Sequence, residues 1–167
     1  MKSSLRFFMV LIMAVAFMST AANAEAKFIG VKMCGACHKG DKNKNVYEKW
    51  EKSGHAKAFK TLQTDQAKKI ATKMGIADAS ASDKCLVCHV TNSAKKDEGV
   101  SCESCHGAGS DYKSKDVMSN REMAVKKGLV LGHNDSKLCE KCHNPKSPTY
   151  KKFEYAKAWA SVKHPIK

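Results

Sequence analysis

The sequence predicts a mainly α-helical protein made of short helices and long loops, with little or no β-sheet. No segment alternates apolar and polar residues for long enough to indicate a strand. Several short segments instead repeat apolar residues at helical spacing, and a glycine, a proline or a polar turn interrupts or ends them. All eight cysteines also lie in four copies of one five-residue motif, which divides the chain into small units.

Two helical segments are predicted between the first and second copies of the motif. Residues 43–62 place apolar side chains at helical or near-helical intervals, with a break at residues 53–54. Residues 64–75 predict a second amphipathic helix, which Gly75 ends.

Two further helices are predicted in the C-terminal third of the chain. Residues 119–128 begin with Ser119 as N-cap, have Glu122 at the capping-box position and end at a glycine. Residues 153–164 have apolar residues on one face and stop before Pro165.

The first 24 residues have the pattern of a secretory signal peptide. Lys2 and Arg6 precede an apolar run, and small residues follow it at 22–24, so cleavage is expected before Glu25. The run is shorter than the roughly 20 residues that span a bilayer, and we expect no membrane span after cleavage. Residues 25–167 are then expected to form one exported domain.

Each copy of the motif reads Cys-x-x-Cys-His. In this motif the two sulfurs bond covalently to one haem, and the adjacent histidine ligates its iron. Disulfides, zinc sites and redox dithiols also use cysteine pairs, but none of them needs a histidine after every second cysteine. The sequence therefore predicts four haem c groups, attached outside the cytoplasm, in the periplasm or beyond the cell. The predicted attachment residues are Cys34, Cys37, Cys85, Cys88, Cys102, Cys105, Cys139 and Cys142, and the predicted proximal iron ligands are His38, His89, His106 and His143.

Four haems would supply most of the apolar core. After removal of the leader, about 36 residues remain for each motif, which is too few for a large core of side chains. Buried porphyrins would also explain how a chain with a mean hydropathy of -0.46 folds. The expected architecture is a small multihaem cytochrome with haem-wrapping loops.

Lysine dominates the formal net charge of +14. The haem propionates would offset part of this charge. The lysines are scattered over every segment, and Arg121 is the only arginine after the leader, which is unlike a nucleic-acid-binding surface. We therefore expect no nucleic-acid partner, but a surface that attracts acidic redox proteins.

Two histidines outside the motifs are candidate distal ligands. His55 lies on the apolar side of its helical segment, and His164 stands at the end of the last one. Without haem, His55 would ordinarily be interpreted as a packed core residue and His164 as an exposed terminal residue. Because haem irons need distal ligands and histidine is a common one, we expect both to bind iron.

Six segments, MCGACHKG, SGHAKAF, CLVCH, GVSCESCHGAGS, LCEKCHNPKSPTY and the final KHP, together resemble the cytochrome c554 family of tetrahaem cytochromes. The resemblance covers the chain after the leader. It implies a helical protein with haems in stacked and perpendicular pairs, which passes electrons between redox proteins. It also implies that His55 ligates the third haem opposite His106, and that His164 ligates the fourth opposite His143.

The chain departs from the family pattern at one ligand. The family type has a histidine shortly after the third motif as distal ligand of the first haem, whereas the corresponding segment SDYKSKDVMSNRE has none. One hypothesis gives this role to His133 and leaves the second haem, at His89, five-coordinate as in the family type. The other gives it to Met118 and sends His133 elsewhere, although methionine more often fills gaps than binds iron.

Electron transfer between proteins is the function that these features predict. A five-coordinate haem would also bind nitric oxide or a related nitrogen oxide, which makes a small reductase an alternative. The sequence places no acid or base beside that haem, and we expect no catalytic residue. Another alternative is a self-associating subunit of a haem filament, in which a neighbouring chain completes the ligand set.

Overall fold

The computed structural model describes residues 25–132 and 135–165. This part of the chain is mainly helical and contains no strand, so the predicted fold class is confirmed. No helix within these residues is long and apolar enough to cross a membrane. The predicted signal peptide and His133 lie outside the described residues. The α-helices span Val31–His38, Val46–Lys52, Ala58–Thr61, Asp65–Lys73, Asp83–His89, Glu103–His106, Lys115–Met118, Arg121–Lys126, Ser136–Glu140 and Tyr155–Val162, and 3-10 helices span Asp41–Asn43, Ser93–Glu98 and Gly109–Asp111.

The two helical segments predicted after the first motif are confirmed. The first forms Val46–Lys52, and extended backbone at Ser53 ends it at the expected break. The second forms Asp65–Lys73, where the Thr64 hydroxyl accepts the Ala67 N–H at 3.2 Å as an N-cap.

The helix Arg121–Lys126 begins one residue later than predicted. Its N-cap is Asn120, whose side-chain oxygen accepts the Met123 N–H at 3.0 Å. The Ser119 hydroxyl instead donates to a carbonyl of the preceding helix at 2.7 Å. Ser119 therefore closes one short helix and does not start the next.

The last helix, Tyr155–Val162, is shorter than predicted at both ends. Glu154 is its N-cap, so Phe153 precedes the helix. Lys163 has left helical backbone, with φ -54° and ψ 138°, and His164 therefore lies on an extended segment beyond the helix.

The side-chain core is small. One buried cluster lies where three consecutive helices, from residue 58 to residue 89, meet the loop between the last two. Large apolar side chains beside the motifs stay in contact with solvent, since Met33 is 52%, Val87 72% and Val130 48% exposed. A chain of this kind needs further apolar surface to complete its interior. The cluster consists of Phe59, Leu62, Ala71, Ala79 and Leu86.

Candidate haem-binding site

The four motifs adopt compact helical turns. The helices of the first three motifs end at the motif histidine, and in the third motif Cys102 is the N-cap. The helix of the fourth motif ends earlier, at Glu140, but the His143 N–H still bonds the Cys139 carbonyl at 2.9 Å. The His106 N–H bonds the Cys102 carbonyl in the same way at 3.0 Å. One helical turn thus brings both sulfurs and the histidine of a motif to one site.

No disulfide bond joins any two of the eight cysteines. Cysteines of different motifs lie close enough to interact electrostatically in three pairs. Burial raises the pKa of Cys142 to about 11, and the neighbouring Cys88 thiol adds to this increase. The first motif thus adjoins the third, the third adjoins the fourth, and the fourth adjoins the second. The pairs are Cys34 with Cys102, Cys142 with Cys88, and Cys105 with Cys139.

Two motif histidines each face a histidine from outside the motifs. The ring centroids of His55 and His143 are 5.9 Å apart, and their planes are inclined at 57°. The ring centroids of His106 and His164 are also 5.9 Å apart, with an inclination of 52°. An imidazole nitrogen lies about 2 Å from a metal that it binds, so two rings that ligate one iron from opposite sides have centroids about 6 Å apart.

The ring contacts differ from the pairing that the family resemblance implies. That pairing places His55 opposite His106 and His164 opposite His143, whereas the structure joins His55 to His143 and His106 to His164. His55 and His164 each lie beside a motif histidine, but not beside the one that the resemblance implies for it.

The course of the last helix explains the exchanged partners. Phe153, just before the helix, stacks on His143 with ring centroids 5.0 Å apart. The eight helical residues that follow extend about 12 Å, which carries the chain away from His143. Beyond the helix, the Lys49 ammonium donates to the Lys163 carbonyl, and His164 lies beside His106.

Two motif histidines are oriented through Nδ1. His89 Nδ1 lies 2.8 Å from the Ala58 carbonyl oxygen, and His106 Nδ1 lies 2.8 Å from the Val130 carbonyl oxygen. A carbonyl oxygen accepts a hydrogen bond, so Nδ1 carries the proton in both rings. Nε2 is then the ring nitrogen that would bind a metal, as is usual for metal-ligating histidines.

The surroundings of the two outer histidines favour neutral imidazole. Burial lowers the pKa of His55, and the nearby His143 lowers it further. Burial likewise lowers the pKa of His164, with an additional effect of His106. Neutral imidazole is the form that ligates metals.

Other candidates are less informative. His133 lies outside the described residues, and Met118 is half-buried at the end of the helix Lys115–Met118. Sequence reasoning missed the stacking of Phe153 on His143 and the buried carboxylate of Glu103. The position of Glu103 between two motif cysteines was the only signal for it.

The residues present fit covalent haem. Each motif offers two cysteine sulfurs that form no disulfide. Two pairs of histidine rings have the separation expected of two axial ligands of one iron. Large apolar side chains beside the motifs remain exposed to solvent. Among residues 25–132 and 135–165, no group of three or more His, Cys, Asp or Glu side chains forms a ready metal site.

Comparison with known proteins agrees with these features. The model of a family described as cytochrome c554 and c-prime matches residues 33–107. The predicted resemblance to the cytochrome c554 family is confirmed. A relative, cytochrome c-554 of Nitrosomonas europaea, is 33% identical over 104 residues, which are 54% of this chain and 42% of the relative. The chain therefore spans less than half the length of this relative. No solved structure matches the chain significantly.

The likeness to the cytochrome c554 family extends over only part of the chain. The residues that match the family model include the first three motifs and His55. The fourth motif and His164 lie beyond the matched segment.

Proposed function

We propose that this protein is a periplasmic tetrahaem cytochrome that transfers electrons between redox partner proteins. The observation that carries the proposal is the pair of histidine contacts, His55 with His143 and His106 with His164. Aromatic rings also pack at such distances without a metal. Ring packing alone gives no reason for each contact to join one motif histidine to one histidine from outside the motifs.

The contacts support a ligand assignment for two haems. The haem attached through Cys102 and Cys105 would have His106 and His164 as axial ligands. The haem attached through Cys139 and Cys142 would have His143 and His55. Two neutral histidines give a low-spin iron that exchanges electrons without binding substrate.

The close approaches between thiols support a continuous path for electrons. The motifs adjoin one another in the order first, third, fourth and second. The haem groups supply the one-electron chemistry, and the polypeptide sets their order, burial and axial ligands. Electrons would therefore enter at the first or second haem and cross the third and fourth.

The number of histidines in the chain supports one five-coordinate iron. The chain has seven histidines, of which four belong to motifs. If His55 and His164 serve the fourth and third haems, only His133 remains for the irons at His38 and His89. We assign His133 to the first haem and leave the iron at His89 five-coordinate. Met118 on the first haem is the competing assignment.

Purified holoprotein tests this function. We expect four covalently bound haems per chain and rapid electron exchange with an acidic redox protein such as a flavodoxin. Because lysines would steer the encounter, the second-order rate constant should fall as ionic strength rises. Fewer than four haems, or a protein that exchanges electrons with neither acidic nor basic partners, would contradict the proposal. Electron-exchange rates that do not depend on salt would contradict only the proposed role of the lysines in docking, not the electron-transfer function.

A small reductase is the second candidate, and the ligand count favours it because one iron has no histidine left. Nitric oxide added to the reduced protein should then bind at about one iron in four. Steady-state consumption of nitric oxide would establish turnover, whereas binding without consumption would leave an electron carrier with a ligand-binding haem.

A further inference from the structure

Glu103 is a buried carboxylate inside the third motif, between Cys102 and Cys105. Its residue surface is 3% exposed. Oε1 accepts the N–H groups of Ile29 at 2.9 Å and Gly109 at 2.7 Å, and Oε2 accepts the N–H of Gly30 at 2.8 Å. Backbone groups of three residues, two of them more than 70 positions away, thus converge on one side chain.

These bonds attach the start of the chain to the third motif. Gly30 is the N-cap of the helix Val31–His38, which contains the first motif. Its φ of 85° lies in the region that favours glycine, and an added Cβ would meet the Glu98 carboxylate at 2.8 Å. Further contacts in the same place are Lys27 N–H to Ser110 Oγ at 2.9 Å, Val31 N–H to Glu98 Oε2 at 3.1 Å, and Lys95 Nζ to the Ile29 carbonyl at 2.9 Å.

The hydrogen bonds of the Glu103 side chain are those expected of a carboxylate anion. Both oxygens accept backbone N–H groups, and Oε1 accepts two, which is the pattern of an ionised carboxylate. No lysine or arginine lies within ion-pair distance of Glu103 in the described residues. The negative charge is therefore balanced by backbone dipoles and stays fixed in place.

The charge lies beside the attachment points of two haems. Glu103 directly follows Cys102, and Cys102 lies close enough to Cys34 of the first motif for the two side chains to interact. Reduction of a ferric haem adds an electron. An anion fixed nearby in a low-dielectric interior opposes that addition more strongly than a solvated one does.

We propose that Glu103 is a positioning residue of the electron path, which locks the first motif onto the third and lowers the reduction potentials of the haems that these two motifs hold. The inference rests on the proposed tetrahaem function. The haems of the second and fourth motifs, which do not adjoin Cys34 or Cys102 by the thiol contacts, would keep their potentials.

Three variants of the holoprotein separate charge from packing. Glu103→Gln keeps the shape of the side chain but removes the charge, and Glu103→Asp keeps the charge but shortens the reach. Glu98→Gln is the matched control, because Glu98 makes one bond to the same segment from a half-buried position where water screens its charge. Each variant is studied by redox titration with EPR detection of individual haems, together with thermal unfolding.

We expect Glu103→Gln to shift two of the four haems to more positive potential and to lower the unfolding temperature. Glu103→Asp should lower the unfolding temperature with little change in potential, and Glu98→Gln should change both less than Glu103→Gln does. Unchanged potentials in Glu103→Gln, or an equal shift of all four haems, would overturn the proposal. If the Glu103→Gln variant does not accumulate, the Glu103→Asp variant tests the proposal instead. A positive shift of the haem potentials in Glu103→Asp, which keeps the charge, would also overturn the proposal.

Haem content keeps this proposal separate from the proposed function. The wild-type protein and the variants are assayed for covalently bound haem before titration. Four haems with unaltered potentials would reject the role of Glu103 and leave the tetrahaem function standing. Fewer than four haems in the wild-type protein would reject the function itself.

Discussion

Residues 27–111 and residues 135–165 both contain the Cys-x-x-Cys-His motif, but they are attached to the molecule in different ways. In the first region, hydrogen bonds join distant backbone segments, such as Val100 N–H to the His55 carbonyl at 3.0 Å. In the second region, the long-range links of the described residues include the two histidine ring contacts and the interactions of Cys139 and Cys142 with cysteines of other motifs. They also include the Lys49 bond to the Lys163 carbonyl and a 4.0 Å approach of Cys142 Sγ to the Val87 carbonyl.

This difference indicates two ways of building a haem site. In the first region the polypeptide fixes the motifs through its own hydrogen bonds, and haem would fill a shape that is already defined. In the second region the side chains that would ligate iron are also the main links to the rest of the chain. The C-terminal region should therefore depend on bound haem for its position, as is common where binding and folding are coupled.

The largest difference should appear when the attachment cysteines are removed. Cys102→Ala with Cys105→Ala removes the third haem from the middle of the hydrogen-bonded region, and the yield of folded protein should fall several-fold. Cys139→Ala with Cys142→Ala should leave a three-haem protein in which residues 27–111 resist proteolysis. Haem content, yield and limited proteolysis measure the two outcomes. Equal losses in both variants would mean that the two regions fold as one unit.

The next effect concerns the distal histidines. His164→Ala and His55→Ala should each convert about one iron in four to the high-spin state, as seen by EPR. His164→Ala should also release the helix Tyr155–Val162, so cleavage near residues 145–152 should become faster. His55→Ala should not accelerate that cleavage, because His164 still holds the end of the chain. Equal cleavage of both variants would contradict the proposed anchor.

Gly99→Ala should destabilise the first region. Gly99 has φ 61°, and an added Cβ would lie 2.6 Å from the His55 carbonyl oxygen. Both strain and the clash with backbone oppose the change, and we expect a loss of about 3 kcal/mol of unfolding free energy. Gly75→Ala is the control, because Gly75 has φ 67° with open space around it, and should cost about 1–2 kcal/mol. Denaturant unfolding compares the two variants.

The smallest difference is expected between Trp50→Phe and Trp159→Phe. The Trp50 indole N–H donates to the Val100 carbonyl at 2.9 Å, and the variant leaves that acceptor without its partner. The expected loss is about 1–2 kcal/mol. Trp159→Phe in the C-terminal helix, where the ring stacks on Tyr155, should cost less. Thermal unfolding of the two variants measures these losses of stability. A larger loss for Trp159→Phe would contradict the expectation that the first region depends more on its own hydrogen bonds.

The helical class and most helices follow from the sequence because capping residues and motif spacing are local signals. Thr64 is the N-cap of the helix predicted over residues 64–75, whereas Asn120 takes the cap position predicted for Ser119, because the Ser119 hydroxyl bonds the preceding helix. Local competition of this kind moves a boundary by one residue without changing the fold.

The partners of the outer histidines do not follow from the sequence. His55 and His164 are recognisable as candidate ligands, but which motif each one meets depends on the course of Tyr155–Val162 across the molecule. Glu103 was missed for a similar reason, because two of its three hydrogen-bond partners lie more than 70 residues away and no local pattern indicates them.

The central claim is that four haems are bound and that histidine pairs close two of them. Low-temperature EPR of the oxidised holoprotein, with iron quantified per chain, tests it most directly. We predict four irons per chain, of which about one in four gives a high-spin signal and the others are low-spin. Fewer than four irons, or high-spin signals from more than half of them, would contradict the account.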